Sequence, residues 1–199
     1  MLAKRLLDFA IILLFLPLWL PLVGVVAFLV RLRMGAPVFF VQERPGYRER
    51  PFNLVKFRTM SVGDSLPDEQ RLSAFGQWLR RTSLDELPEI WNIVKGEMSF
   101  VGPRPLLKKY LPLYSPTQRR RHRVPPGLTG WAQVNGRNLV DWERRFALDV
   151  WYAENRTLWL DIKILFKTMG CVISQQGIAG NNSKTMPEFT GNAGSPAPR

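Results

Sequence analysis

At 199 residues and 46% hydrophobic content the chain can bury a core, which excludes a disordered protein, and no internal repeat is visible. A formal charge of +12 calls for an anionic partner: a membrane surface, phosphorylated substrates or nucleic acid. One cysteine, Cys171, and one histidine, His122, exclude an intramolecular disulfide and the usual Cys/His zinc sites. Catalysis must therefore rest on carboxylates, arginines, lysines or a hard metal ion.

Residues 9–30 carry no charge and are flanked by Lys4 and Arg5 on one side and Arg31 and Arg33 on the other. The run is long enough for a bilayer, which needs roughly 20 residues, and too long for a cleaved signal peptide. Pro17 and Pro21 fall in its middle, where a proline costs a helix about 3 kcal/mol. Positive residues at both ends do not orient a simple span. The expectation is a re-entrant helix–break–helix, broken at Pro21, which dips into one leaflet and returns; a kinked span and a buried soluble helix are the alternatives. Asp8 is placed to pair with Arg5 or Lys4.

Residues 37–41 and 52–57 flank a Pro45-Gly46 turn region and predict a β-hairpin with a long loop. Lys56 and Arg58 either direct cations toward a phosphate or lie on a solvated strand face. Residues 61–67 read as a polar loop. Leu72, Phe75 and Leu79 then recur at helical spacing and predict one amphipathic helix over 68–81.

The stretch 78–105, WLRRTSLDELPEIWNIVKGEMSFVGPRP, gathers the chemistry. Adjacent carboxylates, Asp85 and Glu86, follow Arg80 and Arg81. Pro88 is tolerated only in a first helical turn, so the spacing predicts a helix beginning at 83–85 with both carboxylates at its positive end. Arg104 stands on a stiff loop between Pro103 and Pro105. Ser83 to Glu86 is equally a plain capping box, with Ser83 as N-cap and Glu86 as its third-position partner. The competing reading is a site for phosphates.

Ser115-Pro116 predicts an N-cap and first helical position, opening a helix that carries the basic run 119–123. Such a run is a solvated face by default, and beside a membrane each cation near anionic lipid contributes about 1 kcal/mol. Within it, neighbouring cations disfavour protonation of His122. Residues 125–137 form a Gly- and Asn-rich loop with backbone groups able to meet a ligand. Trp142, Phe146 and Val150 with Ala147 and Trp151 form an apolar helical stripe, and 158–174 reads as a helix in or along the membrane interface, with Lys163 and Lys167 snorkelling. From 177 onward Gly, Asn, Ser and Pro dominate, which predicts a flexible tail. No helix-turn-helix, RNP or zinc signature supports a nucleic-acid partner.

KRLLDF at 4–9, KFRTM at 56–60, SLDEL at 83–87, GEMSFVGPRP at 96–105 and GLTGWAQVNGR at 127–137, in this order behind an apolar segment, resemble the bacterial sugar transferase family. Within it the chain is similar to the small monotopic phosphoglycosyl transferases. Those enzymes move a sugar 1-phosphate from a UDP-sugar to polyprenol (undecaprenyl) phosphate at the cytoplasmic face of the bacterial inner membrane, with Mg2+, releasing UMP at the first membrane step of glycoconjugate assembly. The family's re-entrant break is a Ser-Pro pair; here the matching position is Leu20-Pro21, which keeps only the proline. The resemblance implies that Asp85 attacks the phosphate on the sugar to form an aspartyl-phosphosugar, with Glu86 orienting groups or taking a proton. It also implies that Arg80 and the Pro103-Arg104 pair contact nucleotide or phosphate. Lys56, Arg58 and Arg137 complete the expected substrate-binding set, and Asp85 is the expected magnesium ligand.

The expected fold is α+β and predominantly α-helical: a re-entrant membrane helix over 1–33, a catalytic domain over 34–176 with a small β-hairpin and amphipathic interfacial helices, and a tail over 177–199. The expected donor is a UDP-linked N-acetylated or diacetamido sugar, with a UDP-hexose as the alternative. Anionic membrane lipids are expected partners. A non-catalytic protein binding anionic lipid would account for the charge and the anchor, but not for Asp85-Glu86 amid cations.

Overall fold

The computed structural model describes residues 2–63, 68–136, 140–173 and 188–191. Helices dominate, with two small two-stranded sheets. The chain divides into two compact units, Met1–Gln42 with Asn53–Gly96, and Glu43–Phe52 with Glu97–Arg199. The predicted hairpin is present as β1 (Phe39–Pro45) paired with β2 (Pro51–Phe57), each strand crossing a unit boundary.

The first unit begins with α1 (Leu2–Met34). Its helical course is uninterrupted at Pro17 and Pro21, which lie inside it. Only 11% of its most apolar stretch is buried, so it is not the core helix of a soluble domain, and it is long and apolar enough to cross a membrane. Burial is confined to its two arms: Asp8 and Ile12 near the start, Val26 and Val30 near the end. Residues 13–18, 20 and 21 between them are exposed. Val26 and Val30 pack with Phe57 and Leu79, the middle of this unit's core. Two arginines tie the arms down. Arg5 donates from Nη1 to Ile93 O at 2.8 Å and from Nη2 to Val94 O at 3.2 Å, capping the last turn of α4 (Glu89–Lys95). Arg58 donates from Nη2 to Met34 O and, at 3.0 Å, to Gly35 O, capping the end of α1 itself.

The helix expected over 68–81 is two helices, α2 (Asp68–Arg71) and α3 (Ala74–Arg81). Ser73 divides them: its side chain accepts from Gly76 N, and a serine that caps one helix cannot also continue another.

In the second unit, β3 (Ser99–Val101) runs parallel to β4 (Gly127–Thr129), in the register Ser99 with Gly127 and Val101 with Thr129. The expected cap at Ser115 is present as a full capping box opening α5 (Pro116–Arg119): Ser115 accepts from Gln118 N, and the Gln118 side chain accepts from Ser115 N. A short helix α6 (Trp131–Val134) follows β4, and Asp141 caps α7 (Trp142–Asn155). Finally α8 (Leu158–Ile173) buries Asp161 and Ile164 while Trp159 and Phe166 stand exposed on its other side. One aromatic core joins Tyr110, Tyr114, Phe146 and Phe189. Most of the stretch 177–199 lies outside the described residues, but Phe189 within it is buried.

Candidate active site

The carboxylate pair sits on a tight turn rather than on a helix start. α3 ends at Arg81, and Ser83 takes the left-handed conformation (φ 56°, ψ 17°) before a single 3-10 turn, Leu84–Glu86. Pro88 is the N-cap of α4, so the helix begins at Glu89, four to six residues later than the spacing suggested. Ser83 makes no capping bond. Its expected partner Glu86 is drawn elsewhere, to Lys56. The capping box is therefore absent. Left-handed backbone at a residue with a Cβ costs about 1 kcal/mol, a strain typical of places where geometry serves chemistry.

Asp85 is buried at 8% exposure, Glu86 is half-buried, and Glu89 in the first turn of α4 is 2% exposed. Lys56 on β2 reaches both glutamates, with Nζ 2.8 Å from Glu86 Oε1 and 2.9 Å from Glu89 Oε1. Asn92 then fastens α4 to the same strand: its Oδ1 accepts from Val55 N at 3.1 Å and its Nδ2 donates to Asn53 O at 2.7 Å. Arg80, exposed at the end of α3, donates from Nε to Thr59 Oγ1 at 3.0 Å. The turn is thus braced by β2, by the segment that follows β2 and by α1 acting through Arg5. Arg58 sits apart from this group, with its guanidinium turned to α1; burial lowers its pKa.

The second unit holds the Pro103-Arg104 segment between β3 and β4. Gly102 N donates to Thr129 O at 2.8 Å and Gly127 N to Pro103 O at 3.0 Å. The backbones meet so closely that a Cβ on Gly127 would stand 2.0 Å from Gly102 N, and one on Gly130 would stand 2.1 Å from Gly102 O. Arg104 is half-buried and Pro103 buried. Arg137 lies outside the described residues.

The basic run 119–123 is not one solvated face. Arg119, Arg120 and Arg123 are exposed, whereas Arg121 and His122 are 2% and 6% exposed. A 3-10 turn over Arg120–Arg123 directs those two side chains inward. Arg121 pairs with Asp149 of α7 through Nε at 3.1 Å and Nη2 at 2.7 Å. Burial, reinforced by the Arg121 charge, depresses the His122 pKa from 6.5 to about 3, so the ring is neutral. Its Nδ1 lies 3.2 Å from Gly46 O and therefore carries the proton.

Sequence reasoning missed Thr59, Glu89, Asn92, Arg121 and Asp149 as members of these frameworks. Asp149 alone left a signal, as a lone acid among the apolar residues of the α7 stripe.

A short strained turn bearing paired carboxylates, with an anchored lysine, thus lies in a unit that carries an exposed apolar helix. The comparison with known proteins places the chain in a class. The model of the family described as bacterial sugar transferase matches residues 1–175. The chain belongs to that family. It is 54% identical over 167 residues to an uncharacterized sugar transferase, EpsL, of Bacillus subtilis (strain 168), an overlap of 81% of this chain and 83% of EpsL. It is 38% identical over 196 residues to a UDP-galactose-lipid carrier transferase of Erwinia amylovora, covering 87% of this chain and 41% of that protein. It is 41% identical over 192 residues to an undecaprenyl-phosphate glucose phosphotransferase of Komagataeibacter xylinus, covering 85% of this chain and 35% of the relative. The chain therefore spans most of EpsL but less than half the length of the two relatives named for a sugar.

Proposed function

We propose that the protein transfers a hexose 1-phosphate from a UDP-hexose to polyprenol phosphate, giving polyprenyl diphosphate hexose and UMP. The observation that carries this reading is the Asp85-Glu86 turn: a buried carboxylate next to one that Lys56 holds, on strained backbone. A carboxylate oxygen of Asp85 attacks the phosphorus bound to the sugar. The bond from that phosphorus to the bridging oxygen breaks, and UMP leaves with the electron pair. An oxygen of polyprenol phosphate then attacks the same phosphorus, the Asp85–phosphorus bond breaks, and the carboxylate is restored.

Bringing a carboxylate to an anionic diphosphate costs about 1 kcal/mol at 4 Å in water, and roughly 4 kcal/mol at an effective dielectric of 20. Arg80, on the frame of the turn, offsets part of that repulsion, and Lys56 partly neutralises the neighbouring Glu86 and Glu89, which would otherwise add to it. Glu86 and Glu89 keep the Lys56 ammonium in place. In the second unit, Arg104 contacts the donor's nucleotide or phosphate. Arg58 is better suited to its role at the end of α1.

Asp85 would hold Mg2+. Its buried carboxylate is a hard oxygen donor of the kind Mg2+ takes, one or two at a time, together with substrate phosphates and water. When bound, the ion neutralises charge on the diphosphate.

The hexose replaces the N-acetylated sugar expected from the sequence because the relatives named for a donor are named for galactose and glucose. The N-acetylated donor is the second reading. The helix–break–helix expected at Pro21 is not seen, since α1 runs as one helix, so the re-entrant form proposed here is a bend at Pro17 and Pro21 that keeps the helical course and holds the enzyme at the cytoplasmic face of the bacterial inner membrane. Burial of both arms with an exposed middle supports this, since a straight span would bury only the end nearer the body. Its basic flanks and the exposed apolar side of α8 meet anionic lipid.

The test is UMP release from a panel of UDP-hexoses and UDP-N-acetylated sugars with polyprenol phosphate and Mg2+. Asp85→Asn should lower turnover at least about a thousandfold and abolish covalent trapping of labelled sugar phosphate. Normal turnover by that variant would leave a non-catalytic lipid-binding protein as the better account. For α1, a membrane-impermeant maleimide should reach Leu2→Cys and Arg33→Cys, in a Cys171→Ser background, from one side of the membrane. Labelling from opposite sides would mean a span.

A further inference from the structure

We propose that Arg121 and Asp149 are positioning residues for Arg104. The inference rests on the reading of Arg104 as a contact to the donor's nucleotide or phosphate. Arg121 makes three bonds: Nε and Nη2 to Asp149 Oδ2, and Nη2 to the Arg104 carbonyl at 2.7 Å. Both charged side chains are 2% exposed. Such a pair gives up two hydration shells, and a well-packed apolar replacement is often as stable or more so. Burial raises the Asp149 pKa in spite of Arg121, which shows how poorly solvated the place is. Stability alone therefore does not account for the pair; the bond to the Arg104 carbonyl does.

The same segment is held from its other side. Gly102 and Pro103 bond to β4 through backbone groups that only glycine allows to approach, and Pro103 and Pro105 restrict the chain on either side of Arg104. With the Arg104 carbonyl fixed by Arg121, the backbone at 102, 103 and 104 is tied at three successive residues. The Arg104 guanidinium then starts from a fixed Cα. Asp149 has a further role, because Arg145 also faces it, and the charges of Arg104 and Arg121 act on Arg145. The buried carboxylate thus acts on Arg145 as well as on Arg121 and offsets part of the repulsion among the guanidiniums.

The test is a double-mutant cycle on the full chain in membranes, with UDP-glucose or whichever UDP-sugar the panel identifies, read as KM, kcat and thermal midpoint. Arg104→Ala comes first: an unchanged donor KM would overturn the reading on which this inference rests. Arg121→Met with Asp149→Leu replaces the pair by apolar groups of similar size. It should keep the thermal midpoint within a few degrees and raise the donor KM about tenfold, with a smaller effect on kcat. In the Arg104→Ala background the same replacement should have no further effect on KM, because its influence runs through the side chain already removed. Should the apolar pair fail to fold, Arg121→Lys carries the same cycle with a smaller rise. A wild-type KM in the folded variant, or losses that simply add to those of Arg104→Ala, would overturn the proposal.

Discussion

Gly76 lies so close under Thr59 that a Cβ built on it would stand 1.9 Å from the Thr59 carbonyl oxygen. Replacing a glycine inside a helix with alanine ordinarily adds up to about 1 kcal/mol of stability. Here the methyl group must push away the backbone whose side chain accepts from Arg80. Gly76→Ala should therefore destabilise the protein by about 1–3 kcal/mol and lower the rate of transfer as well. A thermal midpoint that rises, as helix propensity alone would have it, would contradict this.

Lys56 stands between two glutamates of unequal exposure. Glu89 is almost wholly buried and Glu86 is not. Glu89→Gln should cost about 2 kcal/mol, less than a fully buried pair would lose because the lysine is partly solvated. Combining it with Lys56→Met should cost clearly less than the sum of the two single changes. Thermal denaturation of the three variants measures the coupling, and strict additivity would mean that the pair does not act as a unit.

Arg58 separates two roles that the sequence left open. As a cap on α1, its replacement in Arg58→Met should lower stability by about 1–2 kcal/mol and leave the donor KM unchanged. A raised KM at unchanged stability would return Arg58 to the phosphate-binding set.

His122 makes the second unit sensitive to acid. Its folded-state pKa of about 3 lies below the unfolded value of 6.5, so the unfolded chain binds the proton first as pH falls. Stability from this group is complete above pH 6.5 and is lost progressively toward pH 3, amounting to about 2 kcal/mol between pH 7 and pH 5. His122→Gln should remove that part of the pH dependence. Denaturation at pH 7, 6 and 5 checks it, and parallel curves for the two proteins would exclude the histidine as the source.

What could be read in the sequence was what local chemistry decides. The hairpin followed from two apolar runs around Pro45-Gly46. The cap at Ser115 followed from a serine and a proline in succession. Ser83 to Glu86 looks the same on paper, yet it forms no cap, because the partner that takes Glu86 is Lys56, distant in the chain and adjacent only after β2 is placed. The same limit hid Arg121 and Asp149: a basic run and an apolar helical stripe each read correctly on average, and each conceals one residue that is legible only through the other. Ser73 was a different miss, a good N-cap inside a pattern whose periodicity continued across it.

The packing of Val26 and Val30 against Phe57 and Leu79 bears on how this enzyme can be handled. A water-soluble fragment made by cutting after residue 33 would strip away part of its own interior, Val26 and Val30, leaving apolar side chains of β2 and α3 uncovered. α1 and the carboxylate turn share one unit here, and purification must carry the apolar helix along, in detergent or nanodiscs, for the turn at Asp85 to keep its shape.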